Sequence, residues 1–248
     1  MDNKRTEISE LGEFGLIDHL TKDLKPQNSS TLYGVGDDCA VLDYSGQDKE
    51  VLVTTDMLME GVHFDLTYVP LKHLGYKSAM VNISDIYAMN GTPRQMTVSV
   101  ALSKRFSVED MEDFYAGVAL ACQRHGVDLV GGDTTSSLTG LAISITCIGE
   151  AEKGKAVYRN GAGQNDLICV SGNLGAAYMG LQLLEREKAV FNSTPHDASE
   201  PFNPDFAGKE YLLERQLEPE ARGDIIKELR EAGIQPTAMM DISDGLSS

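Results

Sequence analysis

Aspartates recur beside Gly, Ser or Thr at the ends of apolar runs in this chain. The segments are GVGDDCAV (34–41), VTTDMLMEGVHF (53–64), NISDIYAMNG (82–91), LVGGDTTSS (129–137) and MDISDG (240–245). Each segment alone is typical of a turn or a helix cap, because an Asp side chain accepts hydrogen bonds from nearby backbone N–H groups. Together they favour another hypothesis, in which the carboxylates meet at one end of a sheet or cleft.

Carboxylates gathered in one cleft repel one another unless cations neutralise them. Mg²⁺ binds oxygen ligands and keeps waters that phosphate oxygens can replace. The aspartates that we expect at such a site are Asp37, Asp56, Asp85, Asp133, Asp241 and Asp244. Thr54 and Thr55 can add hydroxyl or carbonyl oxygens. The pattern therefore predicts a cleft with several magnesium ions, which would attract an anion such as ATP.

Other nucleotide-binding patterns are missing from the sequence. It contains neither GxxxxGK[ST] nor an HRD and DFG pair, so it is neither a Walker-type NTPase nor a protein-kinase fold. SGNLGAAYMG (171–180) resembles a phosphate-binding glycine turn but lacks the full GxGxxG pattern. A packing turn between a strand and a helix is the more frequent meaning of such a partial pattern.

Composition excludes several classes of protein. The formal net charge is −17 over 248 residues, which disfavours binding to nucleic acid and to anionic membranes. No apolar run approaches the roughly 18 residues of a membrane helix, and the polar N-terminus does not resemble a secretory signal. The four cysteines are widely spaced, which indicates reduced thiols rather than a zinc site or disulfide framework. We therefore expect a cytoplasmic protein.

Hydrophobic periodicity predicts the elements that must position the aspartates. Predicted helices cover residues 7–24, 72–90, 108–125, a stretch from about 176, and 224–232. Predicted strands cover residues 40–42, 51–54, 96–102, 141–148 and 167–170. Ser107 is the expected N-cap of the third helix. Because strands and helices do not alternate strictly, the pattern favours an α+β fold, with one domain over 1–150 and an α/β domain over 151–248.

The order of these motifs resembles the thiamine-monophosphate kinase family, within the superfamily of aminoimidazole ribonucleotide synthetase and selenophosphate synthetase. GDD, TTDMLMEGVHF, NISDIYAMNGTP, GGDTT, the Arg of VYRNGA and DISDGL carry the resemblance. It implies magnesium binding by Asp37, Thr54, Thr55, Asp56, Asp85, Asp133, Asp241 and Asp244. It also implies ATP contacts from Tyr115, Gly132, Asp133, Arg159 and Ser243, and a contact between His63 and thiamine monophosphate. Asp56, Asp133, Arg159 and Asp244 would be the catalytic residues.

The resemblance also implies an architecture. An N-terminal α+β domain would pair with its twin to close a β-barrel, so a homodimer is expected, and a second α/β domain would follow. The chain reaches Ser248 in a motif that leads into a helix, so we expect that second domain to be incomplete. Tyr87 and Asn90 stand where small residues are commoner in the family, which predicts a change in helix packing.

The implied reaction is in-line transfer of the γ-phosphoryl group of ATP to thiamine monophosphate, with several Mg²⁺ ions as cofactors. Two alternatives stay open at this point. One is a superfamily relative that uses ATP to activate another substrate. The other is a nucleotide- or metal-binding module without turnover.

Overall fold

The computed structural model describes residues 6–33, 41–42, 48–193, 203–243 and 245–246. The strands are β1 (Thr31–Tyr33), β2 (Val41–Leu42), β3 (Lys49–Met59), β4 (Thr92–Leu102), β5 (Asp128–Ser136) and β6 (Ala142–Glu152). The helices are α1 (Ile8–Thr21), α2 (Leu71–Ala88), α3 (Val108–His125), α4 (Ala176–Ser193), α5 (Glu210–Leu217) and α6 (Gly223–Glu231). The mixture of strands and helices confirms the predicted α+β class.

A four-stranded sheet in the order β3-β6-β4-β5 organises the N-terminal part, residues 6–157. Only the β4–β5 pair is parallel, and β3 and β5 form the two edges. Side chains alternate between the two faces of each strand. Ile143 and Ile145 of β6 are fully buried on the face that α2 covers. Thr54 and Asp56 of β3 lie on that same covered face and are half-buried.

Helices α2 and α3 cross at close range because two glycines remove the side chains at the crossing. A Cβ atom built on Gly75 would lie 1.9 Å from the carbonyl oxygen of Phe114. A Cβ atom built on Gly117 would lie 1.9 Å from the carbonyl oxygen of Lys72. Any larger residue at either position would therefore push apart the helix pair that covers the sheet.

Both ends of α3 have capping residues that are typical of helix ends. The Ser107 side chain accepts a hydrogen bond from the backbone N–H of Asp110, and the Asp110 side chain accepts one in return from the N–H of Ser107. This capping box confirms the predicted N-cap. The helix ends at Gly126, which has a φ of 65° in the left-handed region where glycine is favoured.

The C-terminal part, residues 158–246, differs from the prediction. Its described residues form α4, α5 and α6 but no strand. The strand predicted over 167–170 is wrong: Leu167 and Ile168 are 90% and 97% exposed. An apolar run with β-branched residues becomes a strand only where another strand can pair with it, and the described residues offer none.

Other elements were not predicted at all. No sequence pattern predicted β1, β5 or α5. The predictions at Asp37, at Asp244 and over most of 192–208 lie outside the described residues. None of the helices that the structure describes is long and apolar enough to cross a membrane.

Candidate active site

The last turn of α2 brings Asp85 to strand β3. The Thr54 hydroxyl donates a hydrogen bond to Asp85 Oδ2 at 2.6 Å. Ser84, the neighbour of Asp85, donates from its Oγ to Asp241 Oδ2 at 2.8 Å. Asp241 is 157 positions further along the chain than Ser84. Strand β3, helix α2 and the segment after α6 therefore meet at one acidic site.

The electrostatics of Asp85 fit a site that attracts cations. Burial raises the pKa of the Asp85 carboxyl, the hydrogen bond from Thr54 lowers it, and the charge of Asp241 raises it again. The positive charge of Arg159 has a smaller lowering effect, so Arg159 lies close enough to act on this carboxyl. The net shift is upward. A carboxylate whose negative charge is insufficiently balanced is stabilised when a cation binds.

Asp56 lies two residues after Thr54 on β3, on the same side of the sheet. Thr55 lies between them and therefore faces the other side. Its hydroxyl donates to the carbonyl oxygen of Ile145 at 3.0 Å and accepts from Thr146 Oγ1 at 3.1 Å. The structure thus brings Thr54 and Asp56 to the covered face near Asp85 and places the Thr55 hydroxyl away from it.

Asp133 lies at the opposite edge of the sheet. Asp56 pairs with Ile145, Ile145 with Val98, and Val98 with Gly132, the residue before Asp133. Three strand spacings, about 14 Å in all, therefore separate the backbone of Asp56 from that of β5. Gly132 and Asp133 are exposed. Within one chain the sheet therefore keeps Asp133 apart from Asp56, whereas the sequence pattern predicted one cluster that contains both.

The remaining predicted contact residues lie in different surroundings. His63 is exposed in the turn after β3, where its Nδ1 accepts a hydrogen bond from the Met59 N–H at 2.9 Å, so Nε2 carries the proton of the neutral ring. Tyr115 packs on α3 with its ring centre 5.4 Å from that of Phe114, and burial raises its pKa to about 12. Arg159 and Ser243 are exposed. Tyr115 is half-buried and packs against the core, and its contact with ATP stays a prediction.

The side chains at this site offer mainly oxygen atoms as potential metal ligands. Asp85, Asp241, Thr54 and Ser84 offer carboxylate and hydroxyl oxygens, the ligands that Mg²⁺ prefers. No group of three His, Cys, Asp or Glu side chains suited to a metal ion occurs among the described residues, a set that leaves out Asp37 and Asp244. The carboxylate and hydroxyl oxygens therefore fit magnesium as metal ligands. Which residues bind the metal stays a prediction.

Neither of the two buried cysteines among the described residues suits nucleophilic chemistry. Cys122 and Cys147 are buried, and burial raises the pKa of the Cys122 thiol to about 12. Cys169 is exposed. Thiols that stay protonated at neutral pH are poor nucleophiles.

Ser84 is the site residue that sequence reasoning missed. It occurs inside the quoted NISD motif, directly before Asp85. The signal available was a hydroxyl residue beside a predicted metal ligand, but the partner of that hydroxyl is distant in sequence and could not be read from the motif.

Comparison with known proteins first defines the class. Residues 36–151 match the family model described as AIR synthase related protein, N-terminal domain. A structure of hydrogenase maturation protein HypE matches with a TM-score of 0.56 at 19% identity, covering 90% of this chain and 77% of that one. This second likeness concerns the fold alone. The chain therefore has the fold of the AIR-synthase-related proteins.

Nearer relatives define the family. The thiamine-monophosphate kinase of Aquifex aeolicus is 38% identical over 239 residues, which cover 96% of this chain and 69% of that protein. The Bacillus subtilis enzyme of the same name is 34% identical, with 96% and 68% covered. The Stenotrophomonas maltophilia kinase structure matches with a TM-score of 0.75 at 32% identity, covering 95% of this chain and 69% of that one. The chain belongs to the thiamine-monophosphate kinase family.

A further solved relative contains ligands. AaThiL complexed with AMPPCP and TMP matches with a TM-score of 0.66 at 36% identity, covering 99% of this chain and 70% of that one. AMPPCP is an analogue of ATP. That relative therefore binds a nucleotide and a phosphorylated acceptor together.

Proposed function

We propose that this protein transfers the γ-phosphoryl group of ATP to thiamine monophosphate, giving thiamine diphosphate and ADP. The observation that carries the proposal is the acidic site itself, where Thr54 meets Asp85 and Ser84 meets Asp241. Membership of the kinase family and the relative that holds AMPPCP and TMP supply the two substrates. The other two functions considered from the sequence have no observation in their favour.

The chemistry requires little from the protein beyond positioning. The acceptor oxygen belongs to a phosphate that is already anionic, so no general base has to remove a proton from it. Arg159, close to Asp85, would stabilise negative charge on the transferring group. No covalent intermediate on the enzyme is needed, which agrees with the protonated, buried thiol of Cys122.

Several Mg²⁺ ions are part of the proposal. The residues that would hold them are Asp37, Thr54, Thr55, Asp56, Asp85, Asp133, Asp241 and Asp244. When bound, the ions would neutralise phosphate charge during transfer. The upward pKa shift of Asp85 supports a need for cations at this site.

Two sets of residues would bind the substrates. Tyr115, Gly132, Asp133, Arg159 and Ser243 would contact ATP, and His63 would contact thiamine monophosphate. The geometry of His63 supports its role, since an exposed ring with a protonated Nε2 can donate a hydrogen bond to a phosphate oxygen.

A homodimer in the cytoplasm completes the proposal. Val51, Val53 and Met57 of β3 are exposed on the face of the sheet that the helices leave uncovered. A row of apolar side chains on an edge strand favours association, and a twin sheet that closes a barrel would cover it. Val53→Lys should convert a dimer of the full-length protein to a monomer in light scattering. An unchanged molar mass would contradict the dimer through this face.

The reaction is tested by incubating the full-length protein with thiamine monophosphate, ATP and Mg²⁺ and detecting thiamine diphosphate by mass spectrometry. We expect product that disappears when the metal is chelated. Asp56→Ala should lower the rate at least about 100-fold while the fold is retained, and Asp133→Ala should do the same. Asp48→Ala is the matched control, because Asp48 is an exposed aspartate beside the same strand. Equal rates in Asp56→Ala and Asp48→Ala would disprove the metal site.

A further inference from the structure

We infer that Arg230 is a positioning residue for the acidic site: it fixes the segment that carries Asp241 to the end of the helix that carries Asp85. The inference rests on the proposed function for its kinetic consequence, but its structural part can be tested separately. Arg230 lies in the last turn of α6, eleven residues before Asp241 in the sequence.

The guanidinium of Arg230 binds the turn between α2 and β4. Its Nε donates to Asn90 Oδ1 at 3.1 Å, and its Nη1 donates to Thr92 Oγ1 at 2.9 Å. Its Nη2 donates to the backbone carbonyl oxygen of Asn90. Three donors on one planar group thus bind three oxygens of a single turn. A lysine has a single ammonium group and cannot reproduce this geometry.

Asn90 and its neighbour Met89 also fix this turn to the end of the N-terminal part, from which the chain continues into the C-terminal part. Its φ of 57° lies in the left-handed region, which Asn adopts more readily than most residues. Its Nδ2 donates to the carbonyl oxygen of Lys155 at 3.0 Å. The carbonyl oxygen of the preceding Met89 accepts from the N–H of Val157 at 3.1 Å.

From α6 the chain continues to Asp241 along a series of contacts. Gln235 Oε1 accepts from Lys155 Nζ at 3.2 Å, and the Met239 N–H donates to the carbonyl oxygen of Tyr158 at 3.2 Å. Asp241 then accepts from Ser84 at 2.8 Å. The segment is thus fixed at both ends to α2 and its following turn.

The two attachment points are close together. Ser84 and Asn90 are six positions apart, which corresponds to about 9 Å along a helix. Loss of the Arg230 contacts would leave residues 232–241 attached only by the Ser84 bond and by the hydrogen bonds of Gln235, Thr237 and Met239 to residues 155–166. Asp241 would then occupy its place beside Asp85 for a smaller fraction of the time. Residues that hydrogen-bond a metal ligand directly typically change metal affinity 10- to 100-fold when they are replaced. Arg230 acts one step further from Asp241, so we expect an effect at the lower end of that range.

The test compares Arg230→Gln with Arg230→Lys and with the control Lys227→Gln in the full-length, metal-free protein. Lys227 is an exposed residue of the same helix. Hydrogen–deuterium exchange should become at least about 10-fold faster over residues 234–243 in Arg230→Gln, as expected for the loss of hydrogen bonds to a charged donor. Exchange in α2 and α3 should not change, and Arg230→Lys should restore little of the protection.

Kinetics give a second readout. In Arg230→Gln the Mg²⁺ concentration for half-maximal formation of thiamine diphosphate should rise about 10-fold, with a smaller change in kcat. Asn90→Gly, which keeps the left-handed backbone and removes both the Oδ1 acceptor of Arg230 and the Nδ2 bond to Lys155, should shift both readouts in the same direction. Its effects should not add to those of Arg230→Gln.

Several results would overturn the inference. One is exchange over 234–243 that is the same in Arg230→Gln and Lys227→Gln. Another is faster exchange throughout α2 and α3 as well, which would make Arg230 a general stabilising residue. A wild-type protein that forms no thiamine diphosphate would refute the proposed function, and the exchange data would still decide whether Arg230 fixes the segment.

Discussion

The N-terminal and C-terminal parts of this chain are stabilised in different ways. In the N-terminal part Ile83, Met111 and Phe114 are fully buried between the sheet and its helices. In the C-terminal part Leu167, Ile168 and Met240 are exposed, and few apolar side chains are buried. The first part therefore has a core of its own, while the second depends on contacts to the first.

Those contacts include hydrogen bonds between the two parts as well as the apolar side chains of Leu217 and Ala221. The Tyr68 hydroxyl donates to Glu185 at 2.6 Å, and Lys77 Nζ donates to the carbonyl oxygen of Gln216 at 3.1 Å. Asp85 belongs to the N-terminal part and Asp241 to the C-terminal part, so the acidic site exists only while the two parts are docked. Folding of the core and assembly of the site are therefore separable properties, and a substitution can change either one.

The largest effect is expected in the core. Phe114→Ala removes a fully buried ring and should lower the free energy of unfolding by about 3–5 kcal/mol, because a cavity is left in the core. Urea unfolding followed by circular dichroism measures the change. Val62→Ala is the control, since Val62 is exposed and should cost less than about 0.5 kcal/mol. Similar losses in both variants would contradict the assigned core.

A smaller loss of stability is expected where Tyr76 of the N-terminal part binds Glu220 of the C-terminal part. The buried Tyr76 hydroxyl donates to Glu220 at 2.6 Å and accepts from Arg124 Nη1 at 2.8 Å. Tyr76→Phe should cost about 1 kcal/mol. The loss should appear mainly as faster proteolysis between residues 203 and 246, with the N-terminal part still protected. Equally faster digestion of both parts would refute the claim that the C-terminal part can loosen while the N-terminal core stays folded.

Acid should loosen α4 without unfolding the core. Burial raises the pKa of Asp65, but hydrogen bonds from Lys188 and Thr67 outweigh it and lower the pKa to about 2, against a value of 3.8 without these contacts. A lowered pKa means that the ionised form stabilises the fold, so this stability is present above pH 3.8 and is lost as pH falls towards 2.

The Asp65 effect should be at most about 1 kcal/mol, because the pair is partly exposed. Peptic cleavage within α4, measured against pH relative to cleavage of an unfolded substrate, should increase in the wild type over this interval. In Lys188→Met the cleavage should be high already at pH 5. A wild-type profile that matches the variant would rule out the Asp65–Lys188 pair as the cause.

The smallest effect is a gain in stability. Because the pKa of Asp85 is raised in the folded state, its ionised form disfavours the metal-free fold at neutral pH. Asp85→Asn should therefore stabilise the metal-free protein at pH 7 by about 0.5 kcal/mol while phosphoryl transfer is lost. The gain, measured by thermal unfolding, should shrink as pH falls below the pKa values of Asp85. A destabilised variant at pH 7 would contradict the assigned electrostatics.

The sequence predicted those parts of the fold in which local pattern and final packing agree. Helices α2 and α3, the N-cap Ser107 and the alternating strands β4 and β6 follow directly from periodicity. Strand β5 was missed because its GGDTTS stretch contains residues that are rare in strands, and pairing with β4 overrides that preference. Residues 167–170 have the opposite property, a strand-like pattern without a pairing partner among the described residues.

The site was predictable only in its residue types. The motifs identified Asp85 and Asp241 as members of one acidic group, and the structure brings them together through Ser84. The opposite edge position of Asp133 could not be deduced, because strand order is not encoded in any single motif. Nothing in the sequence around Arg230 indicated its contact with Asn90, which is 140 positions away.

The most direct test of the acidic site is the rate of thiamine diphosphate formation in Asp241→Asn, compared with the wild type and with Asp205→Asn. Asp205 is an exposed aspartate of the same C-terminal part, away from Ser84 and Asp85. We predict product from the wild type and Asp205→Asn that depends on Mg²⁺, and a rate at least about 100-fold lower in Asp241→Asn. A wild-type rate in Asp241→Asn would contradict a phosphoryl-transfer site assembled from both parts of the chain.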